Sequence, residues 1–442
     1  MKRWVVLAFV CVAGIINFSD KAIAGLSAIP IMEEFDISFA AWGIVGASFY
    51  WLYAVGAIAG SAWSDRIGTK KVLAIMAIMW SIAQIGGLAV SGLAGLVLIR
   101  VILGLGEGPF FAVAINHISK WFPQESRGLA TSIFTVGNKF GTTLSAPVLV
   151  IIIASFGWRI AFAFLGITSL IWFVLWVLLT KDSPKGEKAK STEPIVERRK
   201  VKWKELKPVI LSPTYIFTCL LCFMNHWFVV FSVTFMPIYL VKVKGFSETE
   251  MAGIIASAGL VTAVLIITIS FFSDRLFAKY RDLRLSRVFI AGISIIIAGI
   301  MISTIPALNS SKWIVLTIGL MGAGFTLPVA LAPHTINTII PEKAGLLVGI
   351  ALAFATTAGM IGPTIIGKIV DSNVRDLASG FSQAMLLSAI LACIAGVLYI
   401  IFTKPDDLLK KIRQPKKELS PLHVSADLLD TSDEALLIKK EV

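Results

Sequence analysis

Residues 41–71 read AWGIVGASFYWLYAVGAIAGSAWSDRIGTKK, and this stretch decides the fold class. Its first part, 41–62, contains no charged residue. About 20 apolar residues in a helix are enough to cross a hydrocarbon core of roughly 30 Å. The charged residues that follow, beginning at Asp65 and Arg66, mark a return to water. The stretch therefore predicts a transmembrane helix that ends in a polar loop.

Apolar blocks of the same kind recur along nearly the whole chain. Of its 442 residues, 57% are hydrophobic and 15% are charged, which leaves too little polar surface for several soluble domains. The blocks are continuous and do not alternate every second residue, so an outer-membrane barrel is excluded. We predict an all-α membrane protein with twelve transmembrane helices, at 5–29, 41–62, 72–90, 94–116, 129–153, 158–180, 214–240, 249–272, 287–305, 312–334, 345–367 and 379–402.

The distribution of Lys and Arg predicts the orientation. With a cytoplasmic N terminus, 31 of the 40 Lys and Arg lie in cytoplasmic segments and six lie outside. Positive loops stay on the cytoplasmic side. We therefore expect a multi-pass protein of the plasma or inner membrane, with both termini cytoplasmic. The net charge of +13 is explained by anionic lipid headgroups, so no nucleic-acid partner is expected.

The segment 181–211 divides the chain. It carries ten Lys or Arg and five Asp or Glu, without the long apolar run of its neighbours. We predict an N-terminal six-helix bundle (1–180), a cytoplasmic linker (181–211), a C-terminal six-helix bundle (212–403) and a disordered cytoplasmic tail (404–442).

Three features repeat between the two halves at offsets of 209 to 218 residues. They are Asp65-Arg66 with Asp274-Arg275, Pro123 with Pro341, and Pro147 with Pro363. Each pair falls on the same side of the predicted membrane. This indicates a parallel repeat of six spans, which is an arrangement found in secondary transporters.

The loop after the second span resembles a known signature. Ser61 to Lys71 reads SAWSDRIGTKK, which is similar to the G-x-x-x-D-R-x-G-R-K-K loop of the major facilitator superfamily. Ser61 replaces the usual Gly and Thr69 replaces a frequent Arg. The resemblance implies two pseudo-symmetric six-helix bundles around a central cavity. Asp65, Arg66, Asp274 and Arg275 then have gating and structural roles at the cytoplasmic edge.

Three further stretches resemble the anion:cation symporters of that superfamily. They are NFSDK at 17–21, RVILGLGEG at 100–108 and WFPQESRG at 121–128. The family usually has Arg directly after the first-span Asp, where this chain has Lys21. The resemblance implies inward transport of an organic anion, and it places Tyr53 and Asn138 at substrate-facing positions.

Ionisable residues at membrane depth are costly, so they indicate a functional site. Arg100 and Glu107 are seven residues apart and share one face of the fourth span. Asp20 lies at a similar depth to Arg100 on the first span, and we predict that these two pair across helices. Glu107, near the midplane, is the predicted proton-coupling group together with Asp20. Lys21 and Arg100 are predicted to bind the substrate carboxylate.

Other polar residues at membrane depth have less definite roles. Asn225, Thr356 and Thr357 are candidate cavity residues from their polarity alone. Lys139 is another charge at membrane depth, and whether it and His226 line the cavity stays open. His226 is assigned to packing rather than to proton transfer, and so is His334. We expect no metal site and no cofactor, with a proton as the coupling ion.

The combined prediction is a monomeric, non-enzymatic, proton-coupled symporter that takes up an organic anion, such as a sugar acid or related carboxylate. An exporter of lipophilic or cationic compounds is the alternative within the same fold, although Lys21 and Arg100 argue against it. A non-transporting sensor should carry an ordered output domain. A multi-pass enzyme should show a nucleophile, metal cluster or phosphate loop, and none is seen in the sequence.

Overall fold

The computed structural model describes residues 3–183, 203–339 and 343–413, and these residues form helices without any strand. The N-terminal half contains α1 (Arg3–Leu26), α2 (Ala28–Phe35), α3 (Phe39–Trp51), α4 (Tyr53–Ile67), α5 (Thr69–Ile85), α6 (Leu93–Glu107), α7 (Phe110–Trp121), α8 (Gln124–Phe156) and α9 (Trp158–Leu179). The C-terminal half contains α10 (Trp203–Ile210), α11 (Pro213–Thr234), α12 (Met236–Ile238), α13 (Glu248–Tyr280), α14 (Phe289–Thr304), α15 (Ser311–Ile339), α16 (Ala344–Asp371), α17 (Leu377–Phe402) and α18 (Pro405–Arg413).

These helices supply the predicted membrane spans. Among the described residues, eleven segments are long and apolar enough to cross a bilayer, and Gly141–Phe156 in α8 is a shorter apolar segment at the predicted fifth span. Large apolar side chains such as Ile58 and Leu178 are exposed, as expected for surfaces that face lipid. The predicted all-α membrane fold is confirmed.

One prediction for the segments outside the bundle needs correction. The predicted linker contains the helix α10, which is compatible with a linker, but the tail predicted to be disordered begins with the helix α18. Leu206 and Val209 of α10 are buried in a cluster that Leu408 and Leu409 of α18 pack against. These apolar side chains are too few to mark a span but enough to dock a short helix. Pro341, predicted to match Pro123, lies outside the described residues.

Two spans predicted as continuous are interrupted at the same level. The second span changes from α3 to α4 at Leu52, and the fourth changes from α6 to α7 at Gly108 and Pro109. Pro109 cannot donate the backbone hydrogen bond that a continuous helix requires. The interruptions leave Glu107 at the end of α6, facing the start of α4. Discontinuous helices of this kind are typical of binding sites in transporters.

The two halves meet firmly at one end of the bundle. We call this region the closed end and define it by Glu33, Phe39, Trp42, Thr234, Lys242 and Asp371. The carboxylate of Asp371 accepts hydrogen bonds from the backbone N–H groups of Phe39 and Ala40, each at 2.8 Å. Trp42 donates to the carbonyl of Thr234 at 3.2 Å, and Lys242 pairs with Glu33.

Glycines bring the helices of the closed end into backbone contact. A Cβ atom added to Gly43 would lie 2.3 Å from the carbonyl oxygen of Pro363, and one on Gly367 would lie 2.2 Å from that of Phe39. No side chain fits at such distances, so α3 and α16 approach as closely as backbones allow. Apolar residues of both halves, including Trp42 and Phe381, complete the buried cluster here.

At the opposite end of the bundle, Asp182 fastens the start of the linker to the N-terminal half. Its carboxylate accepts hydrogen bonds from Thr69 Oγ1, from the backbone of Lys70 and from Lys120 Nζ. Burial opposes the charge of Asp182, but these hydrogen bonds outweigh it and hold the pKa of the carboxyl below its usual range. Their stabilisation is therefore present at neutral pH and is lost as the pH falls through the lowered pKa.

We expect Asp371→Asn to loosen the closed end. An amide offers one acceptor oxygen where the carboxylate offers two, and a hydrogen bond to a charged group contributes about 1.5–3 kcal/mol. Cysteines in place of Glu33 and Lys242 report the closure, because these two side chains pair across the halves. Their cross-linking should slow by about tenfold in Asp371→Asn, since 1.4 kcal/mol corresponds to a factor of ten.

Asp376→Asn is the matched control for that experiment. Asp376 caps its own helix by accepting from the backbone of Ser379 at 3.1 Å. Its replacement should leave cross-linking between the halves unchanged. Equal cross-linking rates in Asp371→Asn and the parent protein would show that the carboxylate does not hold the closed end.

Candidate functional site

The four predicted intramembrane charges converge between α1 and α6. Asp20 and Glu107 have no exposed surface, and Arg100 is 5% exposed. The Nζ of Lys21 lies 3.0 Å from Glu107 Oε2 and donates to Asn17 Oδ1 at 2.8 Å. The side chain of Lys21 keeps 17% of its surface accessible. Lys21 is thus the charge of this group that a ligand reaches most easily.

The pairing differs from the prediction for these charges. Asp20 was expected to pair with Arg100, but its Oδ1 accepts a hydrogen bond of 2.7 Å from Gln84 Nε2, and its Oδ2 has no hydrogen-bond partner among the described residues. Glu107 pairs with Lys21 instead. Sequence spacing gave the depth of each charge but not the direction of its side chain, which decides the partner.

Arg100 is held by an aromatic ring. Its guanidinium carbon lies 4.8 Å from the ring centre of Phe49, whose ring is also 5.9 Å from Lys21 Nζ. The face of an aromatic ring attracts a cation, and this attraction is stronger where water is excluded. Within the described part of the chain, Nε and Nη1 of Arg100 have no hydrogen-bond acceptor. The site therefore contains a buried guanidinium with two unused donors.

Aromatic side chains of α3 and α4 form one wall of the site. The ring centre of Tyr53 is 5.9 Å from Lys21 Nζ and 5.5 Å from the ring of Phe49. Tyr50 packs edge-on against Phe49 and at a tilt against Tyr53, and it also fills the space above Gly359 in the C-terminal half. Tyr53, which is predicted to face the substrate, belongs to this wall. Tyr50 is an additional wall residue that links the two halves.

Glycines allow α3 and α4 to approach α6 closely enough to build this wall. A Cβ atom on Gly104 would lie 1.7 Å from the carbonyl oxygen of Phe49, and one on Gly108 would lie 2.1 Å from that of Tyr53. Larger residues at either position would push Arg100 and Glu107 away from the aromatic residues. The glycines noted beside these charges in the sequence therefore have a direct structural reason.

The other predicted cavity residues divide into two groups. Asn138 is buried against Gly14 of α1, and neither of its amide atoms has a hydrogen-bond partner within the described residues. Asn225 instead donates to the carbonyl of Phe325 at 3.0 Å, within the C-terminal half. Thr356 and Thr357 donate to carbonyl groups of their own helix.

The predicted gating residues lie away from the site, at the end opposite the closed end. Asp65 and Arg66 are exposed there. Asp274 accepts a hydrogen bond of 2.6 Å from Arg287, and Arg275 stacks on Phe271, so these two residues stabilise their own half. The side chains of Lys139 and His334 lie outside the described residues.

Sequence reasoning missed Gln84, Asn17 and Phe49. Gln84 is 1% exposed near the end of a predicted span, and a buried amide there is a signal that could have been followed. Asn17 lies four residues before Lys21, which is the spacing of neighbours on one helix face. Phe49 gave no signal, because a Phe in an apolar span is ordinary.

Comparison with known proteins gives the family. The model of the Major Facilitator Superfamily matches residues 10–363 of the chain. The chain belongs to the Major Facilitator Superfamily. It is therefore a membrane transporter and not an enzyme, as the sequence predicted. The likeness to anion:cation symporters within this superfamily is also confirmed by its relatives.

Two of these relatives come from Bacillus subtilis (strain 168). The chain is 28% identical to a protein named hexuronate transporter over 410 residues, which cover 90% of this chain and 94% of the relative. It is 26% identical over 452 residues to one named probable galactarate/D-glucarate transporter GudP, with 95% of each chain covered.

Solved structures of the superfamily share the fold. The structure of a bacterial homolog of the human lysosomal transporter Spinster matches with a TM-score of 0.76 and 19% identity. The match covers 94% of this chain and 99% of the other. The predicted arrangement of two six-helix bundles is thus confirmed.

Proposed function

We propose that this transporter takes up an organic anion, a sugar acid or related carboxylate, together with a proton. The observation that carries the proposal is the buried Lys21–Glu107 pair beside the unused guanidinium donors of Arg100. Relatives that are named for hexuronate and for galactarate or D-glucarate support the same class of substrate.

The charges of the site favour an anion. Asp20, Lys21, Arg100 and Glu107 sum to zero when all are ionised, and a proton on Glu107 would leave one positive charge. A monocarboxylate would neutralise that charge, so the loaded carrier could change conformation without moving net charge through an apolar region. An exported cation would instead be repelled by the positive charges of Lys21 and Arg100.

The geometry suggests how proton and substrate are coupled. Glu107 forms an ion pair with the ammonium of Lys21, which is the most accessible cation of the site. Protonation of Glu107 removes the negative charge that holds Lys21 and leaves the ammonium free for a substrate carboxylate. Asp20, which lies beside Gln84, is the second candidate for a proton. In this scheme, the proton and the anion bind in a mutually supportive manner.

The orientation follows from the basic loops. We propose that the closed end faces outward and that both termini are cytoplasmic, in the inner or plasma membrane. With the closed end outward, the described structure corresponds to a carrier that is closed towards the outside. The site then exchanges substrate with the cytoplasm after the outer gate has closed. No partner protein is needed for this cycle, and we expect the transporter to act as a monomer.

We expect Glu107→Gln to abolish proton-driven accumulation while retaining substrate exchange. The amide cannot exchange a proton, yet its size allows the site to remain packed. Uptake and counterflow of radiolabelled D-glucuronate and D-gluconate in proteoliposomes measure the two activities separately. Glu34→Gln is the matched control, because Glu34 is a carboxylate of the same half that pairs with Arg159 away from the site. Proton-driven concentration of substrate by Glu107→Gln would exclude Glu107 as the coupling group.

We expect Arg100→Lys to weaken substrate binding by about tenfold or more, although it keeps the charge. A guanidinium offers a planar fork to a carboxylate and stacks on Phe49, whereas an ammonium offers a point charge. Lys21→Arg, which restores the residue usual in the related symporters, should retain transport. The affinities of the purified Arg100→Lys and Lys21→Arg variants for D-glucuronate and D-gluconate test this expectation. Equal affinities of both variants and the parent protein would show that only the total positive charge matters.

We expect a cysteine in the linker to be inaccessible to a reagent added outside the cell. In a background with the four native cysteines replaced, a cysteine in place of Ser183 should not react with a membrane-impermeant maleimide in intact cells. A cysteine in place of Glu33, exposed at the closed end, should react readily. The reverse pattern of labelling would invert the proposed orientation.

A further inference from the structure

His226 is a polar residue of α11 that the proposed transport scheme does not use. Its neighbours in the sequence are both engaged within the C-terminal half. Asn225 donates to the carbonyl of Phe325 at 3.0 Å, and Trp227 donates to Ser388 Oγ at 2.9 Å. Both neighbours are buried, whereas His226 is only partly buried. The face of α11 that carries His226 therefore keeps some accessible surface at this level.

Helix geometry shows what this face of α11 meets. Val233 lies seven residues after His226, which places both on one helix face. The carbonyl oxygen of Val233 touches Gly25 of α1, where an added Cβ atom would lie 1.7 Å away. Lys21 lies four residues before Gly25 and shares its face of α1. Both helices run from this contact towards the middle of the bundle. Lys21 on α1 and His226 on α11 therefore lie deeper than the contact, on the sides of the helices that face each other.

Lys21 and His226 thus lie on opposite walls of the site. Along the helix axes, they are about 6 Å and about 10 Å below the Gly25–Val233 contact, at 1.5 Å per residue. A ligand whose carboxylate is bound by Lys21 would therefore extend its other end towards His226.

The hydrogen bonding of His226 determines whether its ring presents a donor or an acceptor to the end of the ligand remote from the carboxylate. Its Nδ1 lies 3.2 Å from the carbonyl oxygen of Cys222, one turn earlier. A carbonyl oxygen only accepts, so the ring proton is on Nδ1 and the neutral ring has its lone pair on Nε2. His226 consequently presents a hydrogen-bond acceptor.

We propose that His226 selects a hydroxylated substrate by accepting a hydrogen bond at Nε2 from a hydroxyl group remote from the carboxylate. This inference rests on the proposed function and narrows its substrate class to hydroxy monocarboxylates such as sugar acids. A second carboxylate at this position would meet a lone pair in place of a donor. A site built to bond a hydroxyl group discriminates strongly against the analogue that lacks it, because the polar group of the site is then left unpaired.

The test compares acids that differ in their hydroxyl groups. Binding of D-gluconate, D-glucuronate and hexanoate, and of the dianion D-glucarate, is measured by isothermal titration with the purified full-length transporter and with His226→Phe and His226→Gln. The parent protein should prefer both hydroxy acids to hexanoate. In His226→Phe, the affinity for the hydroxy acids should fall by about tenfold while that for hexanoate stays unchanged. His226→Gln, whose amide oxygen can replace Nε2 as acceptor, should stay within a few-fold of the parent.

The control and the contrary outcomes separate this inference from the proposed function. Cys219→Ala, two turns away on the same helix face, should change none of the affinities. An equal fall for hexanoate and the hydroxy acids in His226→Phe would assign His226 to packing and overturn the inference alone. A preference for the dianion D-glucarate that disappears in His226→Gln would assign a cationic ring and also overturn it. Binding of none of these acids by the parent protein would contradict the proposed function itself.

Discussion

The ion pair between Lys21 and Glu107 is the interaction on which the rest of the site depends. Each charge in this apolar bundle needs a partner, because an uncompensated buried charge destabilises a protein by several kcal/mol. Glu107 supplies the partner for Lys21, Gln84 donates to Asp20, and the ring of Phe49 faces Arg100. A substrate can displace Glu107 from Lys21 only if the carboxylate finds another source of positive charge. In the proposed scheme this source is a proton on Glu107, which would keep the charges of the site balanced.

Close backbone contact makes this arrangement of charges possible. Gly104 and Gly108 set α6 directly against the carbonyl groups of Phe49 and Tyr53, while Gly43 and Gly367 set α3 against α16 at the closed end. The same span, α3 followed by α4, thus contributes to the site and to the closure above it. A change in the angle of this span would alter both at once. The site and the closed end therefore share the span formed by α3 and α4.

The sequence predicted the fold and the identity of the charged residues, but not how they pair. Apolar blocks are visible in a single sequence because a helix that crosses the membrane must be apolar along its length. Charged residues inside such blocks stand out because they are costly there and therefore rare. The pairing of Asp20 with Gln84 depends on side-chain direction, which spacing along separate helices does not encode. The helix α18 was missed because two leucines in a charged segment give too weak a pattern. The break at Pro109 could have been anticipated, since proline ends the hydrogen bonding of a helix.

The distribution of polar groups between the halves has a consequence for transport. The four charges of the site belong to the N-terminal half, and the acceptor that we propose in the C-terminal half is Nε2 of His226. An anion bound only by the charges of the N-terminal half would make no contact that draws the C-terminal half towards it. A hydroxy acid can contact both halves at once, so its binding energy differs between the open and closed arrangements of the cavity. A ligand shifts a conformational equilibrium only through such a difference, and the hydroxyl contact would therefore determine whether a bound acid is also transported.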